Sequence, residues 1–176
     1  MNISKLLWFL FLICLRNVCY AEDCVSLVPG AAQKVISDFH DWRVVKLTDL
    51  PLDDQKLWEP SHDGRCPGIA AGKFTGGEKL SYAVALIRDQ PSGRILEQLI
   101  ILAPEGDSFR RAVLIKPTNV VSPFVVWKVP PGKYKGVDQG KTVQIVHDSF
   151  VYEKLEAYAT QYYYDGGRLH SIVTAN

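Results

Sequence analysis

The chain is short of the residues that most often mark chemistry. It carries one methionine and four cysteines in 176 residues, and its four histidines are scattered at positions 40, 62, 147 and 170. No run of lysine and arginine forms a basic block, and the formal net charge is only +1. Nucleic acid, whose phosphates call for concentrated positive charge, is therefore not an expected partner. No serine lies in a Gly-x-Ser-x-Gly elbow, and the glycines at Gly72–Gly77 are not followed by the Gly-Lys-Ser/Thr of a phosphate-binding loop. Asp53-Asp54 could imitate a carboxylate pair, but glycoside hydrolysis needs two such groups facing each other across about 5–10 Å, and adjacent loop residues seldom do so.

Long apolar runs are lacking too. The longest, Leu6 to Leu15, has ten residues and ends at Arg16. As a helix it would rise roughly 15 Å, half the hydrocarbon thickness of about 30 Å, so an ordinary membrane span is not expected. With Lys5 ahead of it and Cys19-Tyr20-Ala21 behind, residues 1–21 read as a secretory signal peptide. Cleavage after Ala21 would leave residues 22–176 as a single β-rich domain, a length that supports a proper core. Losing Lys5 and Arg16 would leave 18 basic against 19 acidic residues, a near-neutral surface.

The two cysteines of that domain, Cys24 and Cys66, form an even pair in an expected oxidising compartment, periplasmic or extracellular. One disulfide is the natural reading, fastening the N-terminus to the stretch Cys66–Asp89. Two buried thiols are the competing reading. A zinc site would need further ligands close by.

What is present is mostly strand. Ala31–Asp41 places Ala32, Val35, Ile36 and Phe39 at helical spacing after Pro29-Gly30, which predicts one amphipathic helix covering a sheet. Trp42–Leu47 reads as a strand. Residues 48–68, rich in Asp and Pro, show no regular period and read as a long loop, the first place to expect a binding surface. Ile69–Phe74 and Leu80–Ile87 follow as strands around a Thr75-Gly76-Gly77 turn. Both faces of the second are apolar, which marks a central strand. Further strands are expected at Ile95–Ala103, Arg111–Lys116, Phe124–Val129, Thr142–Val146, Phe150–Ala157, Tyr158–Tyr164 and Leu169–Val173. The last two flank Asp165-Gly166-Gly167, a tight-hairpin signal. The pattern predicts an α+β fold: an antiparallel meander of eight to ten short strands with one N-terminal helix packed on it.

Gly72-x-Phe74-x-Gly76-Gly77 with Ser81-Tyr82-Ala83-Val84 resembles the turn and strand of FG-GAP or VCBS-type β-repeats. Tyr162-Tyr163-Tyr164-Asp165-Gly166-Gly167-Arg168 is similar to a hairpin found in exported bacterial proteins that carry such repeats. The resemblance covers some forty residues in two pieces and implies a strand–turn–strand habit and export. Lys73 and Thr75 stand where those repeats place calcium-binding acids, so no calcium loop is expected, and no other cofactor.

Two sets of site residues follow. Tyr and Trp are enriched at interface hot spots, and a Pro-Pro step presents a stiff surface. Trp58, Trp127, Lys133, Tyr134, Lys135 and Tyr163 are the expected binding residues, the first in loop 48–68 and most of the others in a loop over 127–136. The second set comes from histidines that precede aspartate, His40-Asp41, His62-Asp63 and His147-Asp148. Neighbours on a strand or helix diverge, so a metal or catalytic site would need His62, Asp63, His147 and Asp148 to converge by folding. The expected function is an exported, non-enzymatic binding protein of inhibitor, immunity or envelope-accessory type, its partner another protein or an envelope component. The alternative is a small exported hydrolase using the His-Asp pairs, with metal assistance.

Overall fold

A computed structural model of the chain describes residues 23–62, 64–137, 140 and 142–175. The expected signal peptide and Asp63 lie outside the described residues. Two α-helices occur among them, α1 (Gly30–Ser37) and α2 (Leu52–His62). Eleven strands follow in chain order: β1 (Arg43–Val44), β2 (Ile69–Gly72), β3 (Ser81–Asp89), β4 (Ile95–Glu105), β5 (Ser108–Val120), β6 (Val125–Val129), β7 (Gly132–Lys135), β8 (Thr142–Ile145), β9 (Ser149–Lys154), β10 (Tyr158–Asp165) and β11 (Arg168–Ala175). Every pairing among them is antiparallel. The fold is α+β and mainly antiparallel sheet, with one strand more than the expected range.

The strands form two larger sheets and a ribbon. In the first sheet the order is β1-β3-β4-β5, with β2 sharing the same flank of β3 as β1. The second has the order β11-β10-β9-β6, and β7 pairs with β8 alone. Strand β3 is central, as its two apolar faces imply. Tyr82, Val84 and Leu86 pack with Ala32 and Ile36 of α1. Ala83, Ala85 and Ile87 enter the core shared with Val126, Phe150 and Tyr152 of the second sheet. Seven consecutive residues of β3, Ser81–Ile87, are buried. Alternation thus feeds two cores from one strand.

The disulfide forms as expected, with Cys24 and Cys66 Cα atoms 5.6 Å apart. It holds the N-terminal segment to the residues that join the sheets. The Pro67 carbonyl accepts a hydrogen bond of 2.7 Å from the amide of Val126 in β6, and the Gly68 carbonyl one of 2.9 Å from Ala85 in β3. Gly68 admits no side chain there, because a Cβ would stand 2.5 Å from the Val45 carbonyl oxygen.

Strand β5 is two residues longer than β4, 13 against 11, and the surplus is absorbed in bulges. The register passes from Glu97–Thr118 to Leu99–Ile115, which leaves one extra residue on β5 beside Lys116-Pro117. Proline lacks an amide hydrogen and is tolerated at such a place. The other flank of β5 has no strand against it among the described residues. Arg110, Arg111, Lys116 and Pro117 are exposed along it.

Two expectations are corrected here. Residues 48–68 are not a structureless loop, because α2 occupies Leu52–His62 and a 3-10 turn occupies Leu47–Asp49. The segment over 127–136 is not a loop either. It is the end of β6 followed by β7, where Lys133 and Lys135 point outward and Tyr134 inward. The hairpin signal is confirmed in detail: Asp165 pairs with Arg168, and the two turn residues Gly166 and Gly167 have φ of 54° and 77°. Positive φ at both positions is what a two-residue hairpin of this hand requires.

Candidate binding cleft

The expected binding residues separate into two groups. Trp58, placed by α2, is only 2% exposed and donates from Nε1 to the Arg65 carbonyl at 3.0 Å. It is a core residue, almost closed to solvent. His62 stacks on it at 3.6 Å between ring centroids and meets Trp127 edge-on at 5.7 Å. Burial pushes the His62 imidazole below its ordinary pKa, against a raising hydrogen bond to the Trp58 carbonyl. Half-buried Trp127 donates from Nε1 to Glu153 at 2.9 Å. His62 thus stands between Trp58 and Trp127, and both indoles line a groove of about 340 Å³ beside β2 and β6.

Tyr134 and Tyr163 belong to a small cluster with Val143, Ile145 and Ile172, which seats the β7–β8 ribbon on the outer face of the second sheet. The Tyr134 hydroxyl donates to the Pro130 carbonyl at 2.6 Å. Tyr163 is 9% exposed and stacks on His170. Tyr163 is buried and Tyr134 partly so, whereas Lys133 and Lys135 are on the surface.

In the second set, exposed His147 lies against Gly76, whose Cα hydrogen leaves just enough room for the ring. Asp148 accepts from the Lys73 amide at 2.9 Å and stands 4.0 Å from the Lys128 ammonium, so it ties a turn to β6. Among the described residues no three His, Cys, Asp or Glu side chains stand close enough to share an ion.

A different constellation emerges where β5 runs past the inner face of the second sheet. There a cleft of about 550 Å³ opens between Ile115, Thr118–Ser122 and Phe124 on one side and Tyr152, Lys154, Tyr158, Thr160 and Tyr162 on the other. Cavities of this size suit small organic ligands or single groups of a larger partner. The stacked rings of Phe124 and Tyr152 form part of the wall, with centroids 4.6 Å apart. At the mouth Val121 is 97% exposed and Tyr158 41%.

Behind that wall lies Glu97, 1% exposed near the start of β4. Both carboxyl oxygens face the Phe124 amide, at 3.1 and 3.0 Å. Burial pushes its pKa up to about 8, despite the opposing effects of that amide, the Tyr152 hydroxyl and the Lys154 charge. Tyr152 is raised in turn, by burial first and then by the carboxylate beside it, so its phenol keeps its proton and remains a donor. The Lys154 ammonium donates to the Ser122 hydroxyl. Desolvation also raises Tyr162, with Tyr158 adding to it. The arrangement unites an apolar aromatic slot, one ammonium, one hydroxyl and a carboxyl that holds its proton at neutral pH.

Sequence reasoning missed this site because its polar members come from β4, the β5–β6 link and β9. One signal was available: Glu97 and Gln98 interrupt the otherwise apolar run Ile95–Ala103, and both are buried. A carboxylate seldom occupies such a position without a partner. No family model matches the chain, and no curated protein or solved structure shows significant similarity to it.

Proposed function

We propose that this is an exported binding protein that works by holding a partner rather than by transforming one. The cleft between β5 and the second sheet is its binding element. The observation that carries this reading is the coincidence of exposed Val121 and Tyr158 with a slot of about 550 Å³ walled by aromatic rings and backed by a buried acid. Exposed apolar surface next to a cavity with a few converging polar groups is the usual form of a recognition site. The partner is an envelope component or another protein that inserts one apolar group, in keeping with an inhibitor, immunity or accessory role.

Export rests on two supports: the expected signal peptide and the Cys24–Cys66 disulfide. The resemblance to segments of exported repeat proteins points the same way.

The test is a fragment screen by two-dimensional NMR on the oxidised domain, using apolar fragments with neutral, acidic and basic heads. At least one class should shift the amides of Val121, Ser122, Phe124 and Tyr158 together. Silence of those amides toward every fragment, with shifts confined to other surfaces, would remove the cleft from consideration. Fractionation of the producing cell should recover a chain lacking residues 1–21 and containing no free thiol.

A further inference from the structure

Lys154 is the one charged residue among those lining the cleft, and among the described residues no carboxylate lies within ion-pair distance of it. Its neighbour at the wall is the hydroxyl of Ser122, itself 7% exposed. An ammonium has three donors, and one hydroxyl oxygen leaves donors to spare. Glu97, the buried acid behind the wall, has its pKa pushed up to about 8 by burial, so near neutral pH it offsets little of the ammonium's charge. The rest of the lining is mostly aromatic and aliphatic, Phe124, Tyr152, Tyr158 and Tyr162 with Ile115, Val120 and Val121, beside the uncharged polar side chains of Thr118, Asn119 and Thr160.

We infer that the cleft recognises an apolar monoanion with a planar aromatic body, its carboxylate held by Lys154 and Ser122 and its rings laid among the tyrosines. The inference rests on the cleft being the binding element, and it adds the chemical class of the group bound. Aromatic faces favour offset or edge contacts with a planar guest. A charge-assisted hydrogen bond out of bulk water favours the ionised head over a neutral one of equal shape. A dianion would leave one charge without a partner in an apolar slot, and a cation would set two like charges against each other there.

Calorimetric titration with 2-naphthoate and its neutral isostere 2-naphthamide, alongside NMR mapping, tests this directly. The wild type should bind the acid about tenfold more tightly than the amide, as one charge-assisted hydrogen bond implies. Lys154→Met should bring the two to within about twofold, by weakening the acid more than the amide, and Lys154→Arg should retain the preference. A circular dichroism spectrum equal to wild type verifies each fold. Equal binding of acid and amide by the wild type, with cleft amides shifting, would overturn the anion preference and leave the cleft reading intact. Failure of both compounds to bind, or an acid preference that survives Lys154→Met, would overturn the inference as well. The first of these leaves the cleft to be judged by the fragment screen with other head groups.

Discussion

Replacing Glu97 by glutamine isolates the most unusual electrostatic feature of the fold. In the folded chain the carboxyl titrates near 8, against an ordinary value of 4.5. Below about pH 4.5 it is protonated whether the chain is folded or not, and it imposes no penalty. Between there and pH 8 the unfolded chain releases a proton that the folded chain retains, so stability falls as pH rises, by about 1.4 kcal/mol per unit. From pH 5 to pH 9 the two pKa values correspond to a loss of about 4 kcal/mol from this one group. Glutamine keeps an oxygen to accept from the Phe124 amide and carries no titrating proton.

Urea unfolding of wild type and Glu97→Gln at several pH values from about 5 to 9 should therefore give curves that diverge, the variant gaining about 4 kcal/mol relative to wild type across the range. Titrations elsewhere in the molecule cancel in the difference. A constant difference across the range would refute the claim that the buried carboxyl holds its proton at neutral pH. So would a carboxyl carbon resonance that titrates near 4.

The remaining expectations concern the frame around the cleft. Reducing the Cys24–Cys66 bridge reopens a loop spanning a sequence separation of 42, and should lower stability by roughly 4 kcal/mol in the chain-entropy model, read as a fall in the urea midpoint under reductant. An unchanged midpoint would show that the bridge constrains little. Trp58→Ala removes a buried indole and the donor to the Arg65 carbonyl, so a loss of about 3–5 kcal/mol is expected by denaturant titration. Gly68→Ala drives a methyl into the Val45 backbone, and thermal melting should show a loss of about 1–3 kcal/mol, whereas a neutral result would mean that the strand moves freely.

The parts of the fold that were legible in the sequence are those where one physical rule acts alone. Ser81–Ile87 alternates two apolar faces because two cores claim it, and Gly166-Gly167 closes a hairpin because few other residues adopt positive φ at both positions. Helix α2 escaped because it has almost no apolar stripe: Trp58 is its one buried residue, while Leu52 and Leu57 face water at 73% and 38%. Its start was nonetheless written in Pro51 followed by Asp53 and Asp54, an acidic first turn after a proline. Strand β7 reads as part of a loop because Pro130-Pro131 precedes it, although Lys133, Tyr134 and Lys135 do alternate. The cleft needed the register itself. Only the bulge at Lys116-Pro117 brings Thr118 opposite Glu97, and only sheet packing brings Tyr152 and Lys154 behind them.

The open flank of β5 has a consequence for how molecules meet in a crowded solution. A second copy laid antiparallel and centred on Val113 would set Arg110 opposite Lys116. Sliding the centre to Leu114 would set Arg111 opposite Pro117, which has no hydrogen to donate. Like charges facing across a ladder repel, and a missing donor interrupts it. Those two registers of self-pairing are thus disfavoured at the border of the first sheet, one by repulsion and the other by a lost donor.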